Sequence, residues 1–265
     1  MKNKSLIFKK VPTAIPKAGE HLVVEDRPID LDASPPQNGL LVQNLYLSFD
    51  PYQRGRMREE HIESYAPAYP INQPIRNSTI AKVLRSEHSE FSEGDIITVY
   101  MSGLFQEYSI LSEDEIGDNV WKLDNKFDLD PEYFLGPLGM PGLTAYSSFY
   151  ELGEAKKGET IFISAASGAV GSLVGQFAKR AGLTVIGSVG SNDKLKYILD
   201  DLDFDAGFNY KEEAPMEALK RLAPKGIDIY FESVGGDHLE AALASLNLFG
   251  RISKSSLPCS QQVTY

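Results

Sequence analysis

Ala165-Ala166-Ser167-Gly168-Ala169-Val170-Gly171 joins a compact apolar run, residues 160–165, to a segment patterned as a helix. In that segment Val170, Leu173, Val174, Phe177, Ala178 and Ala181 recur at i, i+3, i+4, i+7, i+8 and i+11, one face of a helix. Gly182 follows the last of them, where a left-handed cap is expected. A small-residue turn between a strand and an amphipathic helix is where a doubly wound fold holds a dinucleotide pyrophosphate. Gly168 permits the tight turn, and Ala169 and Val170 can present backbone N–H groups at the helix start. Gly171 permits close approach of helix, strand and phosphate. The helix N-terminus adds unpaired donors and about half a positive charge, which suits an anion. Alanine and serine replace some of the usual glycines, so the same letters also describe an ordinary small-residue turn. The strand before and the periodic helix after favour the dinucleotide reading.

Working outward, the same rhythm continues. Residues 183–188 read as a strand, and Leu195, Ile198, Leu199 and Leu202 as a helical stripe. Residues 206–209 form a short strand and 213–222 a helix ended by Pro224. Residues 227–231 are a strand, Leu239, Ala242, Leu243 and Leu246 mark a helix, and 249–253 begin one more strand. Upstream, residues 143–152 read as a helix entering this domain. Alternating strands and helices predict an α/β fold, a parallel sheet covered on both faces. The first half differs. Pro and Gly interrupt short apolar runs at 40–49, 78–84, 96–100 and 105–111, which predicts a small, mostly β, barrel-like domain. The expected boundaries are 1–133 for the barrel-like substrate domain, 134–252 for the Rossmann domain and 253–265 for a divergent tail.

The end of the second parallel strand reads Gly187-Ser188-Val189-Gly190-Ser191-Asn192-Asp193-Lys194. An Asp or Glu at that strand tip would bind the ribose hydroxyls of NAD and repel a 2′-phosphate. None sits directly there, whereas Ser191 offers a hydroxyl and Lys194 a charge for a phosphate. Asp193 suits the first turn of the following helix. A solvated helix lysine is the plainer reading of Lys194 taken alone; its position favours NADPH.

The chain has 265 residues, 42% hydrophobic and 24% charged, enough apolar material for a sizeable core. Its net charge of −11 argues against broad binding of nucleic acid or anionic membrane. No apolar run approaches the roughly 20 residues needed to span a bilayer. The one cysteine, Cys259, excludes an intramolecular disulfide and fits a reducing compartment, so a cytoplasmic protein is expected.

Several further motifs occur in order: Leu47-Ser48-Phe49-Asp50-Pro51-Tyr52-Gln53-Arg54, Gly139-Met140-Pro141-Gly142-Leu143-Thr144-Ala145-Tyr146, Phe208-Asn209-Tyr210-Lys211, and Tyr230-Phe231-Glu232-Ser233-Val234-Gly235-Gly236. With the glycine turn, they make the chain resemble the medium-chain dehydrogenase/reductase superfamily. It looks most like the zinc-free branch of prostaglandin reductases, leukotriene hydroxydehydrogenases and alkenal double-bond reductases. The resemblance implies a chaperonin-10-like β-barrel followed by a Rossmann domain. It also implies NADPH-dependent reduction of the carbon–carbon double bond of 2-alkenals or enones. By it, Gly168, Ala169, Val170 and Gly171 lie against the pyrophosphate, and Lys194 and Tyr210 hold the 2′-phosphate. Met140 and Thr144 belong to a segment beside the nicotinamide. Ser233 takes a position near the cofactor where the family usually has asparagine. Tyr52 lies in a segment bordering substrate and nicotinamide.

That chemistry asks the protein to orient substrate and cofactor and to stabilise charge developing on a carbonyl oxygen. Tyr52 is the candidate catalytic residue, able to hydrogen-bond a carbonyl or donate a proton; packing against the barrel is its other reading. Arg54, Arg56 and Arg58 read as a solvated strand end, and Tyr65 and Tyr69 as part of a Pro-rich surface loop, with a place at the substrate mouth as the alternative. His21, His61, His88 and His238 are scattered without ligand spacing, so no metal is expected. The resemblance fades after Ile252. It implies a chain that stops short of the family's last Rossmann elements and of its catalytic tyrosine near the nicotinamide, with Tyr265 no counterpart; a homodimer is one form open to the full-length protein. An NADPH:quinone oxidoreductase and a non-catalytic NADP-binding protein remain alternatives.

Overall fold

The computed structural model describes residues 1–254, in two compact units, Met1–Leu135 and the part from Gly136 onward. The tail's remaining residues, including Cys259 and Tyr265, lie outside the described residues.

The first unit contains two antiparallel sheets. One is β2-β1-β4, from β1 (Lys4–Phe8), β2 (Leu22–Asp26) and the short β4 (Gln73–Pro74). The other has the order β7-β3-β5-β6-β8, from β3 (Leu40–Leu47), β5 (Arg76–Ser86), β6 (Ile96–Leu104), β7 (Tyr108–Leu111) and β8 (Val120–Lys122). Alternation works here as expected. Val42 opposes Val83, Ala81 opposes Ile97, and these residues share one core with Leu40 and Val99. A second core gathers Phe8, Met57, Tyr69, Ile75 and Phe105. Each fully buried large side chain contributes roughly 1.5–3 kcal/mol relative to exposure.

Two expectations for this unit are corrected. Tyr69 is not on a surface loop: it is buried, donates its hydroxyl to the Arg76 carbonyl at 2.7 Å, and lies beneath the Arg56 guanidinium at 4.2 Å. Tyr65 is exposed. The arginines are not a solvated strand end either. They begin in and follow a short helix, α1 (Gln53–Arg56), and direct their donors to carbonyls. Arg54 binds those of Pro12 and Ala14, Arg56 those of Pro67 and Arg76, and Arg58 those of Gly55, Ile62 and Ala66. A loop rich in proline has few N–H groups to pair its own carbonyls, and guanidinium forks supply the missing donors.

A short helix, α2 (Glu113–Ile116), closes the β7–β8 connection. The second unit opens with α3 (Met140–Tyr146), continued by a wider turn over Ser147–Leu152. Its sheet is parallel, in the order β11-β10-β9-β12-β13. The strands are β9 (Thr160–Ile163), β10 (Thr184–Val189), β11 (Ala206–Asn209), β12 (Ile227–Glu232) and β13 (Leu246–Lys254). The helices between them are α4 (Gly171–Ala181), α5 (Asn192–Lys196), α6 (Pro215–Leu222) and α7 (Gly236–Ser245). Successive residues of β9 serve opposite faces, which is why its strand is apolar throughout. Ile161 and Ile163 pack with Val174 and Ala178 of α4, whereas Phe162 packs with Leu219 of α6 and Ala241 of α7. Gly182 caps α4 with φ 82°, ψ 33°, as its position predicts. Strand β13 runs through Lys254 and so takes in Ser253, a polar residue for a strand. Ser253 is buried there because its hydroxyl donates to the Ser148 carbonyl at 2.9 Å.

Arg251 of β13 grips Glu159, just before β9, with two bonds of 2.7 Å, and also binds the Gly153 and Glu154 carbonyls. The Arg251 hydrogen bonds hold the Glu159 carboxyl below its ordinary range. A depressed carboxyl stabilises the fold above the ordinary Glu value, about 4.3, and the stabilisation is lost as pH falls through the folded value. Glu159→Gln should therefore be less stable than the parent at neutral pH, with the gap closing below about pH 4. Urea midpoints measured across pH check this; a gap that stays constant into acid contradicts it.

Candidate cofactor site and the Tyr52 cluster

In the second unit the sheet order turns outward in both directions from β9 and β12, which defines the crevice where α/β folds bind ligands at the strand C-termini. The glycine turn stands there. Ala165 adopts φ 50°, a left-handed conformation that costs a non-glycine residue about 1 kcal/mol. It aims the Ala165 carbonyl back to accept the Gly168 N–H at 2.9 Å. A Cβ on Gly171 would stand 2.6 Å from that same carbonyl oxygen, and one on Gly168 3.1 Å. The turn is thus closed against itself, and helix α4 begins directly on it. Among the described residues, the N–H groups of Ala169, Val170 and Gly171 have no intrachain acceptor, as the first turn of a helix requires. Backbone donors on a tight glycine cradle fit a pyrophosphate.

Ser233, one residue past β12, donates its N–H to the Ser164 hydroxyl at 3.0 Å, and that hydroxyl donates to the Phe231 carbonyl. Ser233 therefore borders the crevice beside the end of β9. The buried Glu232 carboxylate accepts the N–H groups of Val234 and Gly235 and shapes the turn into α7.

At the other strand end, Ser191 caps α5, its hydroxyl accepting the Lys194 N–H at 3.3 Å. That leaves its proton available to an acceptor, and Lys194 is exposed. Tyr210, one residue past β11, is 44% exposed, and a Cβ on Gly190 would lie 2.9 Å from its hydroxyl oxygen. Ser191, Lys194 and Tyr210 thus share the C-terminal rim of β10 and β11. Asn209 joins the two connections, donating to Asn192 at 3.1 Å, while Asn192 donates to Glu212 at 2.8 Å. Met140 and Thr144 lie one turn apart on α3, both half-buried.

In the first unit, Tyr52 is the cap of α1, with its hydroxyl 2.6 Å from Asn77 Oδ1, 3.1 Å from Met101 Sδ and 3.3 Å from Asp50 Oδ2. Asn77 in turn donates to Asp50 Oδ2 and to the Ser48 carbonyl, and Ser48 donates to Asp50. Asn77 uses its amide protons on these acceptors, so Tyr52 donates its proton to Asn77 Oδ1. Burial, and then the Asp50 charge, push the phenol upward. It stays protonated at neutral pH and can act as a hydrogen-bond or proton donor, not as a base. The sequence points to Tyr52 but not to Asn77, Met101 or Ser78, whose hydroxyl fixes the Met101 N–H. Asn77 and Met101 are 25 and 49 residues distant from Tyr52 and meet it only through strand pairing.

Among the described residues no group of His, Cys, Asp and Glu is placed to hold a metal ion, and no helix is long and apolar enough to cross a membrane.

The parallel sheet, its glycine turn and its crevice are those of a dinucleotide-binding α/β domain. A family model described as the N-terminal domain of oxidoreductase matches residues 4–118, and one described as zinc-binding dehydrogenase matches residues 169–263. An NADP-dependent oxidoreductase, RED1, of Cochliobolus heterostrophus is 53% identical over 255 residues, covering 96% of this chain and 72% of that protein. A 2-alkenal reductase (NADP(+)-dependent) of Nicotiana tabacum is 46% identical over 255 residues, covering 95% of this chain and 71% of that protein. The crystal structure of CurA from Vibrio vulnificus in complex with NADPH superimposes with TM-score 0.83 at 36% identity, covering 94% of this chain and 70% of that one. This chain belongs to the medium-chain dehydrogenase/reductase superfamily.

Proposed function

We propose that this chain is an oxidoreductase that uses NADPH to reduce the carbon–carbon double bond of 2-alkenals or enones. The observation that carries the reading is its likeness, over nearly its whole length, to an NADP-dependent 2-alkenal reductase. The local chemistry supports it. The turn at Gly168, Ala169, Val170 and Gly171 takes the pyrophosphate, and Ser191, Lys194 and Tyr210 take the 2′-phosphate. Ser233 borders the same crevice, and Met140 and Thr144 serve the nicotinamide side. NADPH, when bound, supplies a hydride for the β-carbon of the conjugated alkene. The protein itself must orient the alkene and stabilise negative charge growing on the carbonyl oxygen. Tyr52 provides that stabilisation. A carbonyl oxygen takes over the hydrogen bond that the hydroxyl otherwise gives Asn77, the phenol being kept in place by its partial burial at the start of α1, and a proton from solvent on the α-carbon completes the saturated product.

The test offers one preparation NADPH with a 2-alkenal, the matching saturated aldehyde and a quinone. Consumption of the alkenal, with the saturated aldehyde as product, is expected. Consumption of the quinone alone favours a quinone oxidoreductase, and consumption of the saturated aldehyde alone an alcohol dehydrogenase; either overturns the reading. Tyr52→Phe should lower kcat about a hundredfold or more, the usual scale of a positioned proton donor, with NADPH affinity unchanged. Thermal melts run alongside, because losing the Asn77 partner also costs stability. A variant of lower Tm whose kcat at saturation is unchanged would assign Tyr52 to packing.

A further inference from the structure

We infer that His238 is a positioning residue for NADPH selectivity, acting through Tyr210. This rests on the reading above that Tyr210 meets the 2′-phosphate. His238 sits in the first turn of α7, 6% exposed, against Phe162 and Phe208 of the apolar core that also holds Tyr230, Ala241 and Ala242. A buried imidazole is unfavourable in such a core unless it is hydrogen-bonded. Its partner is Ser188, the fifth residue of β10, whose hydroxyl is 2.7 Å from His238 Nε2 and fully buried. That bond fixes the ring in its plane, 6° from Phe162 and 19° from Phe208. Burial holds the imidazole below its ordinary titration range against the opposing charges of Glu232 and Asp237, so the ring is neutral at pH 7.

Among the described residues the oriented ring has one aromatic neighbour that reaches the surface. Tyr210 stands edge-on to it, with centroids 5.3 Å apart and planes at 77°. The Tyr210 hydroxyl end rests on Gly190, where a Cβ would intrude at 2.9 Å. Tyr210 is therefore in contact with both a hydrogen-bonded imidazole and a glycine that leaves room for its hydroxyl. Its hydroxyl is kept at the connection that carries Ser191 and Lys194. With the imidazole gone, the phenol regains rotational freedom that a 2′-phosphate must then remove. NADH has no 2′-phosphate and is indifferent to this.

The experiment titrates NADPH and NADH into the parent, His238→Leu, Tyr210→Ala and the double variant, with melts of each. His238→Leu is expected to weaken NADPH about three- to tenfold, the scale of ordering one side chain on binding, and to leave NADH unchanged. In the Tyr210→Ala background the same substitution should add nothing. Ser188→Ala, which frees the ring without removing it, should shift NADPH in the same direction and serves if His238→Leu does not fold. Equal losses for both cofactors, no loss, or a full effect without Tyr210 would each overturn the inference. If Tyr210→Ala and Lys194→Ala both leave NADPH affinity intact, the 2′-phosphate reading itself has failed. If they weaken it and His238→Leu and Ser188→Ala do not, only the role of His238 has.

Discussion

Lys194→Ala is expected to weaken NADPH binding about tenfold or more and to leave NADH binding nearly unchanged, the scale of one charge-assisted bond to a phosphate. The reason is local. Lys194 stands one helical turn into α5, exposed, and the capping Ser191 hydroxyl holds its backbone in place. No carboxylate occupies the tip of β10, where one would select the ribose of NAD. The lysine's aliphatic stem supports no core, so Tm should hardly move. Raising the salt concentration should weaken the parent's grip on NADPH and narrow its gap from the variant, because exposed charge pairs are screened. Equal losses for NADPH and NADH would place Lys194 elsewhere in the site or outside it.

Gly171→Val should have the larger effect and the opposite signature. A Cβ at this position meets the Ala165 carbonyl at 2.6 Å and the Ala166 Cα at 3.0 Å, both backbone atoms that cannot swing aside. The turn must open, and the first N–H groups of α4 lose their aim. Binding of NADPH and NADH should fall together, by about a hundredfold, as expected when several backbone bonds to one anion are lost at once. Overpacking should also lower stability by about 1–3 kcal/mol. Calorimetric titration with both cofactors reads the first effect and a thermal melt the second. Retained binding with a lowered Tm would show that Gly171 serves helix packing alone.

The parallel sheet is legible in the sequence because its central strands, β9, β10 and β12, are buried on both faces. The run around Ile161, Phe162 and Ile163 can be read without knowing what covers it, and Gly182 marks the end of its helix by conformation alone. The first unit is harder. Strands β1 and β2 are five residues each, too short for alternation to stand out, and β2 has no fully buried residue. Phe105 reads as part of a strand with Leu111, yet strand β7 begins at Tyr108 and Phe105 belongs to a different core. Side-chain partners are the least legible. Arginines at 54, 56 and 58 look solvated until the loop carbonyls they bind are seen. A lone histidine at 238 looks incidental until the hydrogen bond between helix α7 and Ser188 of β10 is seen. Contacts between residues 25 to 50 apart carry no local signal, so Tyr52 stands out by its motif while Asn77 and Ser188 do not.

The most direct test of the proposed reaction follows the hydride itself. NADPH deuterated at the transferred position of its nicotinamide is incubated with the protein and a 2-alkenal, and the product is analysed by mass and NMR spectra. The expected product is a saturated aldehyde with one deuterium on the carbon β to the carbonyl and the aldehyde group intact. Deuterium on the carbonyl carbon, in an unsaturated alcohol, would contradict the proposed reaction.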